Sequence, residues 1–419
     1  MRNPKLGKII KRVYDIINSQ EYMERSRMNP TDFTRIRKMT FPMMITFILS
    51  STKKSLQSAL FAFTSRMKFE GGTYTKQAFS KARKKIHPSA LLALFKETVL
   101  LFYKDGDFKR YKGYRVTAID GTKYNLPNSE EMKKVFGFQN GTNEQPQALG
   151  SCLYDVLNGI IIDALITPWN SNERKLAQIH FSELAKIKTS KELVLMDRGY
   201  PSGELLNDLD SYGYKYVIRC SEQFSKYLKT KGNDCVITHK FASGKTAKLR
   251  VIKLQLDNGV IEVLISNLFS KNFATEDFRE IYHMRWGIEE KYKDLKNKLE
   301  IENFAGNSEI AVLQEFYATM FLGNIASIMA LDCTEELEEL NKDKNLKYQY
   351  KANISMTISV MKFRLIDMLT VKSQKKRDRI LDNIYYQLLI AVTPIRPGRS
   401  SERVVRHKSQ KFPQNKRSL

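Results

Sequence analysis

The sequence predicts an α/β fold, a strand-rich centre carried between two helical regions, and three observations predict it. Short apolar or alternating runs, two of them closing on Asp, succeed one another between residues 111 and 219. Apolar residues at helical spacing fill much of 1–105 and 311–395. A second group of alternating runs, at 220–275, stands between those strands and a charged helix.

The N-terminal region reads as a set of small helices. Met39 to Phe63 is apolar with helical spacing, Thr75 to Lys85 is a short basic helix preceded by Gly71-Gly72, and Ser89 to Tyr103 follows Pro88. Basic helices joined by Gly/Pro turns fit a helical DNA-binding domain over 1–105, with an ordinary helical cap on the next domain as the alternative.

From Tyr111 the texture changes. Arg115 to Asp120 reads as a strand ending in a carboxylate, followed by Gly121-Thr122. Gln147 to Val156 and Ile160 to Thr167 are strands around a Leu157-Asn158-Gly159 turn. Glu173 to Ile187 is an amphipathic helix. Leu193 to Asp197 is a short buried strand, again ending in a carboxylate and followed by Arg198-Gly199-Tyr200. Ser202 to Leu209 is a helix and Tyr214 to Arg219 a strand. The order β-β-β-α-β-α-β is that of an RNase H-like fold, here assigned to 106–310. Within it 220–275 is a β-rich insertion, with Asp257-Asn258-Gly259 at a hairpin tip. Thr275 is the N-cap expected for the next helix. Residues 311–395 return to helix, a candidate for dimerisation, and 396–419 form an extended basic tail.

That next helix has an unusual edge. At 100° per residue Tyr282, Arg285, Glu289 and Lys296 fall at roughly 0°, 300°, 340° and 320°, one arc of about 60°. Ile288, Tyr292, Leu295 and Leu299 form a core face beside it, at about 220–280°. Taken alone, such a stripe fits a solvated helix face with i,i+4 pairs as well as it fits a site.

The charge gives the stripe a context. The chain has 70 Lys plus Arg against 45 Asp plus Glu, a net +25, which calls for a polyanionic partner, nucleic acid first. Residues 1–87 hold nineteen basic against five acidic residues, and 396–419 eight against one. Two basic ends around a nearly neutral centre suit DNA binding that weakens steeply with salt. A membrane partner is not expected: the nearest apolar run, Phe41 to Ser50, is too short to span, and the N-terminus lacks a signal peptide's apolar core. Cys152, Cys220, Cys235 and Cys333 lack metal-ligand spacing and read as reduced cytoplasmic thiols. The five scattered histidines build no zinc site either. Ser243-Gly-Lys-Thr246 looks like the end of a phosphate-binding loop, but His239 stands where its first Gly belongs, which excludes ATP there.

Three acids therefore occupy telling places: Asp120 and Asp197 at strand ends, Glu289 on the helix. Each Asp on its own also fits a turn-forming role. Together, uncompensated carboxylates repel and call for cations. Hard oxygen ligands suit Mg²⁺, with Mn²⁺ able to substitute. Two such ions would clamp an in-line phosphoryl displacement without a protein base.

The chain resembles the DDE transposases of bacterial insertion sequences, in the insertion-sequence-four group defined by a Tyr-Arg-Glu-Lys signature. Tyr282, Arg285, Glu289 and Lys296 meet its spacing of two, three and six intervening residues. Leu264-Ile-Ser-Asn-Leu268, Arg285-Trp-Gly-Ile-Glu289 and Leu299-Glu-Ile-Glu-Asn-Phe304 match its surroundings. Val116 to Thr122 resembles the first-Asp strand and Asp197-Arg-Gly-Tyr200 the second-Asp motif. Phe33 to Lys38 and Gln77 to Arg83 resemble the N-terminal region. The resemblance implies an RNase H-like core, Asp120, Asp197 and Glu289 as metal ligands, and Mg²⁺ as cofactor. It implies that Tyr282, Arg285 and Lys296 contact DNA near the cleaved phosphate, with Arg198 a further candidate. A homodimer would pair two terminal inverted repeats and act on target DNA, in a bacterial cytoplasm at the nucleoid. Some relatives stack a flipped base on a Trp of the insertion. Here Trp169 and Trp286 lie outside the insertion and read as packing residues, leaving Phe224, Tyr227 or Phe241 as stacking candidates. A structure-specific nuclease on the same fold and a catalytically inactive DNA-binding regulator are the competing readings.

Overall fold

The computed structural model describes residues 5–396 apart from 36, 51–52, 70–73, 140–143, 188–189, 229, 231, 242–243, 245 and 257–258. The expected Gly71-Gly72 turn, the Asp257-Asn258 tip and nearly all of the basic tail lie outside the described residues. The chain divides into two compact units. One comprises Met1–Phe102, Tyr124–Ala148 and Asp294–Leu419, the other Tyr103–Lys123 and Leu149–Lys293.

Six helices open the chain: α1 (Lys5–Ile17), α2 (Gln20–Ser26), α3 (Phe41–Ser50), α4 (Leu56–Arg66), α5 (Lys76–Arg83) and α6 (Ser89–Tyr103). The apolar stretch from Met39 is thus two helices, and Thr75 caps α5 by accepting from the Ala78 N–H. Then follow β1 (Tyr114–Asn125), α7 (Glu130–Phe136), β2 (Gln147–Asp155) and β3 (Ile160–Pro168). The second unit continues with α8 (Glu173–Leu184), β4 (Lys191–Met196), α9 (Gly203–Ser211), β5 (Lys215–Arg219) and a short α10 (Glu222–Tyr227). After these come β6 (Asp234–Lys240), β7 (Thr246–Gln255), β8 (Ile261–Ser266), α11 (Asp277–Met284) and α12 (Trp286–Lys293). A π turn over Asp294–Lys298 leads to α13 (Glu309–Asn341), β9 (Gln349–Ala352), α14 (Ile354–Thr370), α15 (Gln374–Ile390) and β10 (Val392–Ile395).

The strands β1 to β8 form one mixed sheet in the order β3-β2-β1-β4-β5-β8-β7-β6. At its centre β1, β4 and β5 run parallel. Five of the six β4 residues are buried, the near-continuous apolar run expected of a strand covered on both faces. The expected β-β-β-α-β-α-β order is present with one addition, the helix α7 between β1 and β2. The expected insertion is β-rich too, but it is no separate body. Its strand β8 pairs antiparallel with β5, from Val217↔Ser266 to Arg219↔Leu264, so the insertion extends the same sheet. Edge strand β6 alternates exposed and half-buried residues.

Three local expectations are corrected. β1 does not end at Asp120 but continues through Asn125. Thr275 does not cap α11, because its hydroxyl donates instead to Asp234 at 2.6 Å, while Asp277 accepts from the Ala274 N–H. The C-terminal region contains a two-stranded ribbon, β9 with β10, among its helices.

In the first unit α13 is the core helix. It packs against α1, α3, α14 and α15. By length and composition it is apolar enough to cross a membrane, a feature the sequence reading missed, yet 78% of that stretch is buried inside the protein. Part of the N-terminal positive charge is also spent internally. Arg83 on α5 is buried and donates to Glu315 at 2.9 Å and to Gln314 at 3.0 Å, fastening α5 to α13.

Candidate active site

The register of the central strands positions the two aspartates. The β1–β4 pairs run from Tyr114↔Lys191 to Ala118↔Leu195. Asp120 and Asp197 each lie two residues beyond the last pair, which brings them side by side where the parallel ladder stops. The Asp197 carboxylate accepts from the Gly199 N–H at 2.8 Å, and that of Asp120 from the Gly121 N–H at 2.9 Å.

The late helix reaches the same place. The Tyr292 hydroxyl on α12 donates to the Asp120 carbonyl at 2.6 Å and ties that helix to β1. One turn earlier Glu289 accepts from Arg285 Nη2 at 2.8 Å, and Arg285 Nη1 stands 3.9 Å from an Asp120 carboxylate oxygen. The guanidinium thus lies between two of the expected acids. Among the described residues no three Asp, Glu, His or Cys side chains are gathered at metal-holding spacing. Tyr292→Phe removes the tether without removing the ring. Its expected cost is roughly 1 kcal/mol, read as a lower urea midpoint at unchanged slope.

Burial pushes the Asp120 carboxyl up to about 7. The Gly121 N–H and the Arg285 guanidinium oppose the shift, while the nearby charges of Asp197 and Glu173 add to it. Glu173, in the first turn of α8, was missed by the sequence reading. One of its oxygens lies 2.7 Å from where a Cβ on Gly121 would stand. A glycine inside a strand pattern signals such a close approach. The neighbouring Arg174 donates to the Gly199 carbonyl at 3.0 Å, holding the 197–200 turn against α8.

The remaining expected residues separate. Tyr282 is 4% exposed, its hydroxyl has no hydrogen-bond partner among the described residues, and burial pushes its phenol up to about 12. Arg198 is exposed on the turn after Asp197. Lys296 falls in the π turn, beyond the end of the regular helix and in the other compact unit. There its ammonium sits 5.3 Å over the Tyr124 ring, and burial lowers its pKa against the pull of Glu302. Trp286 is not the packing residue expected: it is 43% exposed, with Arg285 5.2 Å over its ring. Trp169 is half-buried with Lys123 over its ring. Phe241 is buried against Gly203 and stacks with half-buried Phe224, while the Tyr227 side chain lies outside the described residues.

The family described as Transposase DDE domain matches residues 111–325. Transposase InsG for insertion sequence element IS4, of Escherichia coli (strain K12), is 21% identical over 355 residues, covering 80% of this chain and 77% of that protein. Among solved structures, the piggyBac transposase synaptic complex with hairpin DNA is similar at a TM-score of 0.48 and 11% identity, covering 93% of this chain and 87% of that one.

Proposed function

The chain belongs to the transposase DDE domain family, metal-dependent enzymes of DNA phosphoryl transfer, and from that premise we propose that it cuts and joins the ends of an insertion sequence at Asp120, Asp197 and Glu289. The observation that carries this reading is the meeting of Asp120 and Asp197 where the parallel β1–β4 ladder stops, with Arg285 linking Asp120 to Glu289. The strand order supports an RNase H-like core.

The donor set fits a divalent ion. All the candidate ligands are hard carboxylate oxygens, and half-buried Asp120 is crowded by Asp197 and Glu173, a repulsion that Arg285 offsets only in part. Asp120, Asp197 and Glu289 would hold Mg²⁺ or Mn²⁺. Bound there, the metal supplies Lewis-acid polarisation of the phosphate and lowers the pKa of the attacking water or 3′-hydroxyl. The chain's own groups orient the reaction. Tyr292 fixes α12 against β1, and so sets the reach of Glu289. Arg285, held beside Asp120 and Glu289, would pair with a phosphate oxygen in the fork geometry suited to it. Arg198, exposed beside Asp197, is a further phosphate contact in this reading. The basic N-terminal helices and the tail would bind the terminal inverted repeats, and a homodimer would hold two ends together.

Incubation of pre-cleaved end DNA with a supercoiled plasmid and Mg²⁺ tests the proposal. Joined products are expected. Nicked plasmid without joining would replace it with a structure-specific nuclease, and absence of both at every Mg²⁺ and Mn²⁺ concentration with an inactive regulator.

A further inference from the structure

Two polar groups stand beside the aspartates: the buried Tyr200 hydroxyl and the half-exposed carboxylate of Glu173, on which the Lys123 charge acts. The Tyr200 side chain is fully buried, and among the described residues its hydroxyl has no hydrogen-bond partner. The charges it feels are those of Glu173, Asp120 and Asp197, with Arg285 opposing them. The Glu173 carboxylate, set against the backbone of Gly121, makes no hydrogen bond or ion pair among the described residues. A buried polar atom left without a partner in a well-packed protein asks for an explanation, and a ligand is one.

We propose that Glu173 and the Tyr200 hydroxyl form an outer oxygen layer that holds a hydrated divalent cation at Asp120 and Asp197, an inference that rests on the metal-dependent reading above. Mg²⁺ keeps several of its waters when bound, and their hydrogens need acceptors. Glu173 is an acceptor whose charge is felt at Asp120, with Lys123 the cation acting on it. Tyr200 is a donor that fixes whichever carboxylate turns toward the ion. Both are positioning residues, acting through the waters and the aspartates. Gly121 belongs to the same arrangement, because a side chain there would collide with the Glu173 oxygen 2.7 Å from its Cβ.

The test is Mn²⁺ titration of the full chain without DNA, followed by electron paramagnetic resonance, with thermal melting of each variant alongside. Glu173→Gln is expected to weaken Mn²⁺ binding about tenfold with little change in melting, the scale seen when an outer partner of a metal ligand is lost. Gly121→Ala, which keeps the carboxylate but displaces it, is expected to weaken binding in the same direction, and it decides the matter if Glu173→Gln does not fold. Asp120→Asn is the control for the underlying reading. Wild-type affinity in both Glu173→Gln and Gly121→Ala, with loss in Asp120→Asn, overturns the outer layer alone. Wild-type affinity in all three, or no saturable binding by the unsubstituted chain, overturns the metal site with it.

Discussion

Asp120→Asn is expected to lower Mg²⁺-dependent strand cleavage and joining by at least about a thousandfold while leaving end-DNA binding in place. A metal that polarises a phosphoryl oxygen contributes several kcal/mol of transition-state stabilisation, and each factor of ten in rate is about 1.4 kcal/mol. The amide keeps the shape and the hydrogen bond from Gly121 but loses the charge that the ion needs. Asp197→Asn and Glu289→Gln should behave alike, and non-additively if the three act as one unit. Folding should respond in the opposite sense. Asp120 is half-buried and crowded by Asp197 and Glu173, so neutralising it relieves repulsion, and the melting temperature is expected to hold or rise. Strand transfer retained by any one of the three variants, measured on pre-cleaved ends, would remove that residue from the site. A variant that failed through misfolding would show itself by an early melt instead.

The largest effect on stability is expected at the far end of the same two strands. Arg115 and Glu192 face each other in the β1–β4 register, both nearly inaccessible, joined by two hydrogen bonds of 3.0 and 2.7 Å. The guanidinium also lies 4.4 Å over the Tyr103 ring, whose hydroxyl donates to buried Asp155 at 2.8 Å. Arg115→Met leaves two buried carboxylates without their cation. The expected cost is about 3–5 kcal/mol, a fall in melting temperature on the order of 10 °C. Arg115→Met combined with Glu192→Met should recover part of it, because an ion pair replaced by apolar side chains of similar volume is often neutral, while Asp155 keeps its hydrogen bonds from Tyr103 and Asn158 but not the cation. A single variant that melts like the wild type would show that water reaches the pair and solvates what remains.

Much of this arrangement was legible before any coordinates. Strands alternate with period two and helices cap with Ser, Thr or Asn, so β2 to β8 and α5, α6, α8 and α9 stand close to where those patterns place them. The two aspartates were legible because each follows a short apolar run and precedes a glycine within two residues. What was illegible depends on the third dimension. Nothing local distinguishes Glu173 from any acid in a helix's first turn, although Gly121 carried a hint that something approaches closely. The π turn over Asp294–Lys298 breaks the 100° phasing on which the placement of Lys296 depended. The surface aromatic beside Arg285 was misjudged because hydrophobicity alone makes Trp286 look like core.

The eight-stranded sheet also limits how this chain can be remodelled. Because β8 docks directly on β5, the 220–275 segment is not a cassette that can be lifted out and swapped. Removing it would exchange one border of the sheet for another. At present the border is β6, a seven-residue strand with charged residues, Asp234 and Lys240, at its two ends, of the kind that blunt an edge. Excision would make β5 the border, and there Tyr216, Val217 and Ile218 are all fully buried. A trimmed chain would carry a bare, apolar, hydrogen-bond-hungry margin within a short distance of its acids. It would be expected to self-associate in solution before it could be assayed.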